Sequence, residues 1–534
     1  MSTFGSFTTV RLGIYSAQKG LDVTGNNITN INTNGYTRQR LNQVSLIPSV
    51  TDRYASSYNT RIGQGAVIAG VTQLRDPGLD ISYRKAQSDV GAANTKLEGL
   101  NDLASILDEV GKGSLEQDDG VILSQLNDLR DLISQAITNG VGTYDSLIRT
   151  SASALATYFN SYADALSGKM DDYTQELDQQ VTQVNDILTQ IRDLNESIRN
   201  ADLRGDPALE LRDNRNLLLD ELSGYMKIDV KYSMEDVGAG TMVEKLTITL
   251  ANDPPHNHTL VDGTYTTQLE ADHDDNFRIS LDALKNADGE KQDPADPDSV
   301  KLLDNDLYGS LQSLRELLTE EGEFATDADV AADPNAAVKR GIPYYQKALD
   351  SLAREFADAM NKLNNTGSGL PGEGNLFSTG SNTDDADGIT AANISVSKSW
   401  AEGSVSIQAT ADPQAPSGDT SNLAKFLALF DQDQTFDPTH IEGGAVGSAY
   451  HGTFEEMLLK IQSTLAEDQM STDAVLNNYI VTADDISVNR EGVSGVDLND
   501  EATSLMTYQK AYTAACRLMN VLEEALDSLI NSTV

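Results

Sequence analysis

The stretch FTTVRLGIYSAQKGLDVTGNNITNINTNGY, residues 7–36, sets the reading of the whole chain. Phe7, Ile14, Leu21 and Ile28 recur every seven residues, and Val10, Ala17, Thr24 and Ile31 fill the alternate place. That 3-4-3-4 spacing lays one narrow apolar stripe along a helix. Asn and Gly then end the pattern. Asn34-Gly35 is a strong turn signal, because both residues tolerate positive φ.

The far end repeats the pattern. Leu498, Leu505, Tyr512, Met519 and Leu526 form a second heptad row, flanked by Leu522 and Leu529. Its alternate row, Ala502, Gln509, Cys516, Glu523 and Ile530, is poorer in apolar residues. Acidic residues at 497–500 suit the positive end of a helix dipole and mark the start of this helix. Residues 1–47 carry four cationic side chains against one acidic, whereas residues 490–534 carry three against seven. Opposite signs favour pairing of the two ends. The apolar seam must dominate, since an exposed ion pair adds only about 0–1 kcal/mol and a buried large side chain about 1.5–3 kcal/mol. Periodicity alone is equally satisfied by two helices packed on the chain's own core. Position at both extreme ends instead suits helices that become ordered within an assembly.

Inward from the ends, residues 95–135 and 147–225 read as helix. In the second, Phe159, Tyr162, Leu166, Met170, Tyr173, Leu177, Val181, Val184, Leu188 and Ile191 keep 3/4 spacing, with Gly168 as a possible soft point. Residues 48–94 read as short extended pieces and turns. At about residue 226 the period changes to two, in IDVKY, VEKLTITL, TYTTQL and FRISL. Helix resumes at 310–320, 344–363, 421–430, 452–467 and 471–486, and residues 366–420 read as polar loops around ISVSKSW. The expected fold is mainly α with an inserted β-domain. Residues 1–47 and 495–534 form a terminal coiled coil. A discontinuous helical body is built from 48–226 and 307–494, with loops or a small insertion near 378–450. A β-rich domain at 227–306 faces outward.

Composition narrows the function. The 534 residues hold 38 Lys+Arg against 82 Asp+Glu, a net charge of −44. Counterion release from phosphates needs the reverse balance, so nucleic acid is not the expected partner, nor is an anionic membrane. One cysteine, Cys516, allows no intrachain disulfide. The N-terminus lacks the apolar block of a cleaved signal peptide, and no apolar run is long enough to span a bilayer.

No catalytic or cofactor motif is expected. Gly492-Val-Ser494-Gly495-Val496 has Val where a nucleophile elbow needs its second Gly, and no strand precedes it. His256, His258 and His273, with Asp272, Asp274 and Asp275, could approach a metal only by convergence, and exposed turns are the expected setting. TDDADG (383–388) lacks the first carboxylate and the bidentate Glu of a calcium loop. Cys516 reads as a small core residue. Catalytic, cofactor-binding and metal residues are therefore expected to be none.

Four segments together resemble one family, the flagellar rod, hook and hook-associated axial proteins. They are LGIYSAQKGLDVTGNNITNINTNGYTRQR (12–40), LRDNRNLLLDELS (211–223), LYGSLQSLRELL (307–318) with LDSLAREFADAMNKLNNTGSGLPGEGNLF (349–377), and GVSGVDLNDEATSLMTYQKAYTAACRLMNVLEEALDSLI (492–530). The first is shared across the family, and the other three resemble its hook-associated members. Thr29-Asn30 and Asn499-Asp500 depart from the family pattern without disturbing the heptads.

The resemblance implies a structural subunit at the hook–filament junction. It would leave the cell through the type III export apparatus without a cleaved signal and act outside the cell on the flagellum. Implied partners are further copies of itself in a ring, the hook protein, the adjacent hook-associated junction protein and a flagellar export chaperone. Implied assembly residues are Phe7, Ile14, Leu21 and Ile28, with Leu498, Leu505, Tyr512, Met519 and Leu526, and Asn26, Asn27, Gly35 and Tyr36 at the turn. A hook or distal-rod protein, or a secreted surface antigen or adhesin, are the alternatives.

Overall fold

The computed structural model describes residues 3–46, 65–107, 120–238, 240–251, 258–274, 276–303, 305–440 and 447–533. The chain is mainly α with inserted β elements. It opens with α1 (Thr3–Thr29), then an antiparallel ribbon of β1 (Gln39–Ser45) and β2 (Ala66–Gln73). Next come α2 (Pro77–Ile106), α3 (Val121–Asn139), α4 (Val141–Asp202) and α5 (Leu209–Tyr225).

Strands β3 (Ile228–Asp236), β4 (Met242–Leu250), β5 (Thr259–Asp262) and β6 (Tyr265–Thr266) form one sheet in that order. Strands β7 (Leu269–Asp272), β8 (Arg278–Asp282) and β9 (Ser299–Lys301) form another. The second half holds α6 (Gly309–Thr319), α7 (Asp327–Ala332), α8 (Ile342–Asn364), β10 (Phe377–Ser378), β11 (Ser395–Val396), α9 (Lys398–Ala401), α10 (Ser421–Leu429), β12 (Gln434–Phe436) and β13 (Tyr450–Gly452). The long α11 (Phe454–Ser494) and α12 (Leu498–Thr533) close the chain. No helix among the described residues is long and apolar enough to cross a membrane.

The scaffold is α4. Its 62 residues extend about 90 Å at 1.5 Å per residue. Phe159, Leu166, Tyr173, Leu177, Val181, Val184, Leu188 and Ile191 are buried along one face, as the 3/4 spacing predicts. The helix runs through Gly168 without a break. It also starts earlier than the spacing suggests, after Gly140 at φ +92, and it stops at Asp202 rather than reaching 225. Pro207 and Ala208, the latter at φ +47, force the chain to turn there.

Two other helices hide their period in the sequence. α2 begins at Pro77, capped by the Asp76 side chain on the Gly78 N–H, where the sequence suggested extended pieces. Its first turns bury Asp80, Arg84 and Ser88, so the face that packs has no apolar period to read. α11 is continuous where the sequence suggested two helices, because apolar residues such as Met470 and Val481 lie on its outer face and blur the period.

The β segment follows its alternation. Ile228 faces Leu250 and Val230 faces Ile248, all four buried. It is stitched to α4 by Asn185, which bonds both the N–H and the carbonyl of Leu269, and by Asn195 on the Gly263 carbonyl. Its apolar face joins one continuous core with the helices.

The stretch read as polar loops is anchored in that core as well. Trp400 is fully buried, its indole N–H donating to Asp145 at 3.2 Å. Phe377 stands edge-on to both Phe356 and Trp400. Asn361 holds the strand at Phe377 through three backbone hydrogen bonds.

At the end of α6, burial pushes the Glu320 carboxyl up to about 7. Glu316 and Asp333 add to the shift and Lys339 opposes it. A folded-state pKa above the ordinary value near 4.5 means that stability is complete below that value and is lost as pH rises through 7. Urea denaturation of the purified chain should therefore show a decline between pH 5 and pH 8 that Glu320→Gln removes. Parallel pH curves for the two chains would show a solvated carboxyl at this position.

Candidate functional site: the terminal helix pair and its anchor

The two ends of the chain meet as an antiparallel pair. Gly13 lies against Ala515 and Gly20 against Tyr508. The approach is close because of these glycines: a Cβ on Gly20 would fall 2.5 Å from the Tyr508 ring. On α1 the row turned into the pair is the alternate one, with Val10, Ala17 and Thr24 buried. Phe7, Ile14, Leu21 and Ile28 lie on its flank and are only half-buried. On α12, Met519 and Leu526 are half-buried beside Ser504, Tyr508, Ala515 and Leu522. Leu498, Leu505 and Tyr512 stay 54%, 36% and 37% exposed, and Leu529 and Ile530 are also open. Cys516 is half-buried on the same helix.

The β1–β2 ribbon lies along α1, from Gln39 beside Asn27 to Gly65 beside Thr9. Thr9 is two residues, or about 200° of helix, from Phe7, so the ribbon covers the side of α1 away from the Phe7 row.

The turn leaving α1 is built by its amides. Asn27 bonds both the carbonyl and the N–H of Gln39, at 2.9 and 3.0 Å, and accepts from the Tyr36 hydroxyl at 2.8 Å. The Asn26 amide donates to the same hydroxyl. Gly35 takes φ +76 against Leu217, and no residue with a Cβ fits that backbone without strain. Burial, with Asp213 and Glu210 nearby, pushes the Tyr36 phenol far up, so it stays protonated as a donor.

This turn delivers Thr37 to α5. Its N–H and hydroxyl both donate to the Asp213 carboxylate, at 3.1 and 2.6 Å. Beside it lies an ionic cluster that joins four segments. Arg75 pairs with Asp80 and lies 3.7 Å from Asp213. Arg84, whose side chain is 3% exposed, pairs with Asp220 at 2.8 Å. Arg490, near the end of α11, bridges Asp80 and Asp220 at 2.7 and 2.5 Å and lies over the Tyr83 ring. Arg38 then ties the turn to α12 through Glu501 at 2.7 Å, and to the end of α11 through its own N–H to the Ser494 carbonyl.

Burial alone would push the Asp80 carboxyl up, but Arg75, Arg490 and Arg84 hold it below the usual range. Burial wins at Asp213, which is raised despite Thr37 and Arg75. The rest of the LRDNRN motif (211–216) braces the β segment. Arg212 pairs with Asp202 and Glu244, and Arg215 with Glu244 and Asn195.

Residue spacing alone does not single out Thr37, Arg75, Asp80, Arg84, Asp213, Asp220 or Arg490. The available signal was Arg and Asp at positions where a packed helix normally carries apolar side chains.

The other candidates fall elsewhere. Ser494 ends α11, and its hydroxyl donates to the Arg490 carbonyl. His273 contacts Asp178 at 2.9 Å, His258 is half-buried, and His256 and Asp275 lie outside the described residues. Among the described residues no three His, Cys, Asp or Glu side chains converge on a metal site. Asp384 of TDDADG is engaged by the Ser399 N–H and hydroxyl.

Removing Asp220 leaves two arginines without their shared carboxylate. Asp220→Ala should cost about 3–5 kcal/mol in urea denaturation, and a loss under about 1 kcal/mol would show the cluster to be solvated. Gly20→Ala should instead loosen only the terminal pair. Limited proteolysis should cut α12 faster while the melting of the helical body stays unchanged, and unaltered protection of α12 would show that the close approach is dispensable.

Known proteins resemble the chain in its body and in its C-terminal helix. Residues 115–377 match the model of the flagellar hook-associated protein FlgK helical domain. Residues 492–532 match that of the flagellar basal body rod FlgEFG protein C-terminal. The chain is 26% identical to flagellar hook-associated protein 1 of Bacillus subtilis (strain 168) over 544 residues, covering 99% of this chain and 98% of the Bacillus protein. It shares its fold with the flagellar hook junction protein FlgK from Burkholderia pseudomallei, at a TM-score of 0.52 and 14% identity, over 78% of this chain and 100% of that one. The chain is thus similar to flagellar hook-associated proteins over nearly its whole length, and its residues 115–377 match their helical domain.

Proposed function

We propose that this chain is the structural subunit that joins hook to filament in a bacterial flagellum, and that it acts by assembly rather than catalysis. The observation that carries the reading is the state of the terminal pair. It closes through a narrow row of small residues and leaves its large heptad residues half open. Phe7, Ile14, Leu21 and Ile28 on α1 and Leu498, Leu505 and Tyr512 on α12 await a partner. Each large apolar side chain covered would contribute about 1.5–3 kcal/mol. Neighbouring copies in a ring supply that cover, so ordering of the ends is coupled to assembly.

In this reading the terminal pair is an inner layer, the helical body surrounds it, and the β segment faces outward. Asn26, Asn27, Gly35 and Tyr36 fix the exit from the inner layer, and the Arg–Asp cluster transmits its position to the body. The chain leaves the cell by type III export without a cleaved signal, its C-terminal helix shielded by a flagellar chaperone. It then meets the hook protein on one side and the adjacent hook-associated protein on the other. No cofactor, nucleic acid or membrane is involved.

Deleting the gene should leave bare hooks in electron micrographs and flagellin in the medium, with the intact gene restoring filaments. Normal filaments on the deleted cells would refute the junction role. Leu505→Asp should be secreted with an unchanged circular dichroism spectrum yet fail to restore filaments. Normal filaments from that variant would show that the open row is not an assembly surface.

A further inference from the structure

α11 packs along α2 in an antiparallel register that two contacts fix. Arg490 meets Asp80 at 2.7 Å, and the Gln469 amide donates to Asn101 at 2.8 Å. From residue 470 to 494 only Leu476 and Ala483 are buried. The opposite face carries Met470, Val481 and Val488, which are 74%, 61% and 68% exposed. Their spacing of eleven and seven residues puts them on one line about 27 Å long, a solvent-facing stripe where charge is expected.

Beside the stripe are Asp473 and Asp484, eleven residues apart. On α2, Lys85 and Lys96 are likewise eleven apart. None of these four forms an ion pair among the described residues. Eleven residues make three helical turns, about 16.5 Å, so each pair lies on one side of its helix. The in-chain register places Lys85 level with Asp484 and Lys96 level with Asp473. Copies related by rotation about an axis parallel to α11 would keep those levels. Lysines of one copy thus stand at the heights of the aspartates of the next. A chain of net charge −44 needs such local matching if its copies are to approach.

We propose that the outer face of α11 is an interface between copies, docking on the Lys85–Lys96 edge of α2 in a second copy of this chain. This rests on the reading of the chain as a ring-forming subunit. It adds a contact in the helical body to those at the termini, with the Met470–Val481–Val488 stripe as the covered surface and the Lys–Asp pairs as the register.

The test uses the full chain with Cys516→Ser, Lys85→Cys and Asp484→Cys, expressed in cells lacking the native gene and treated with a short bismaleimide. Denaturing gels of the cell-surface fraction should show a ladder at multiples of the 57.5 kDa chain, and only when both cysteines are present. Adding Asp473→Lys should weaken the ladder roughly tenfold through like charge, and a further Lys96→Glu should restore it. Monomer alone, a bridge within one chain or an adduct with a different protein would each overturn the proposal. A ladder indifferent to Asp473→Lys would overturn the charge register. Failure of the junction reading shows separately, as normal filaments after gene deletion, whereas bare hooks without a ladder would sink only the α11 interface.

Discussion

The carboxylate of Asp220 lies between two guanidinium groups, Arg84 and Arg490, contributed by opposite halves of the chain, and the architecture hangs on that meeting. A chain whose first and last helices pair must leave its body and return to it at one place. Apolar contact cannot set that place alone, because it is non-directional and tolerates sliding. Guanidinium–carboxylate pairs are directional, and a misplaced one leaves a buried charge unpaired. The cluster therefore fixes where α2, α5 and α11 cross and in what register. Thr37 and Arg38 extend the same network into the turn after α1 and the start of α12.

That rigidity contrasts with the helices it carries. The body buries a continuous core along α4, α6 and α8, whereas α12 buries only Glu501 fully and keeps most of its apolar residues open. The body thus has a packed core of its own, while the terminal pair leaves apolar surface uncovered. The small residues at its centre, Gly13, Ala17 and Gly20, allow a close approach that leaves the bulky rows open. A pair joined through its bulky rows would be a finished coiled coil with nothing left to assemble.

The β segment is attached by polar stitches as well as by its apolar face. Asn185, Asn195 and the Arg212–Glu244–Arg215 bridge hold it along α4 and α5. The LRDNRN motif therefore serves two ends at once, with Asp213 on the terminal turn and its arginines on the β segment. A displacement at the termini has a direct polar route to the β segment.

Much of this was legible in the sequence, because local rules govern it. The heptads of residues 7–31 and 498–530, the turn at Asn34-Gly35, the face of α4 and the alternation of VEKLTITL are set by residue spacing. The mainly helical fold with a β insertion follows from where that spacing changes. The start of α2 and the unity of α11 were not legible, because their packed faces are polar or their open faces apolar, so the usual signal is inverted. Which heptad row turns inward could not be read either, since that depends on how close Gly20 lets Tyr508 come. The ionic cluster was hidden most deeply. Asp80, Asp213, Asp220 and Arg490 are ordinary charges in sequence and become a joint only when the fold brings distant segments within 3 Å. Spacing determined the elements, and desolvated charge and close packing, which exist only in three dimensions, decided how they meet.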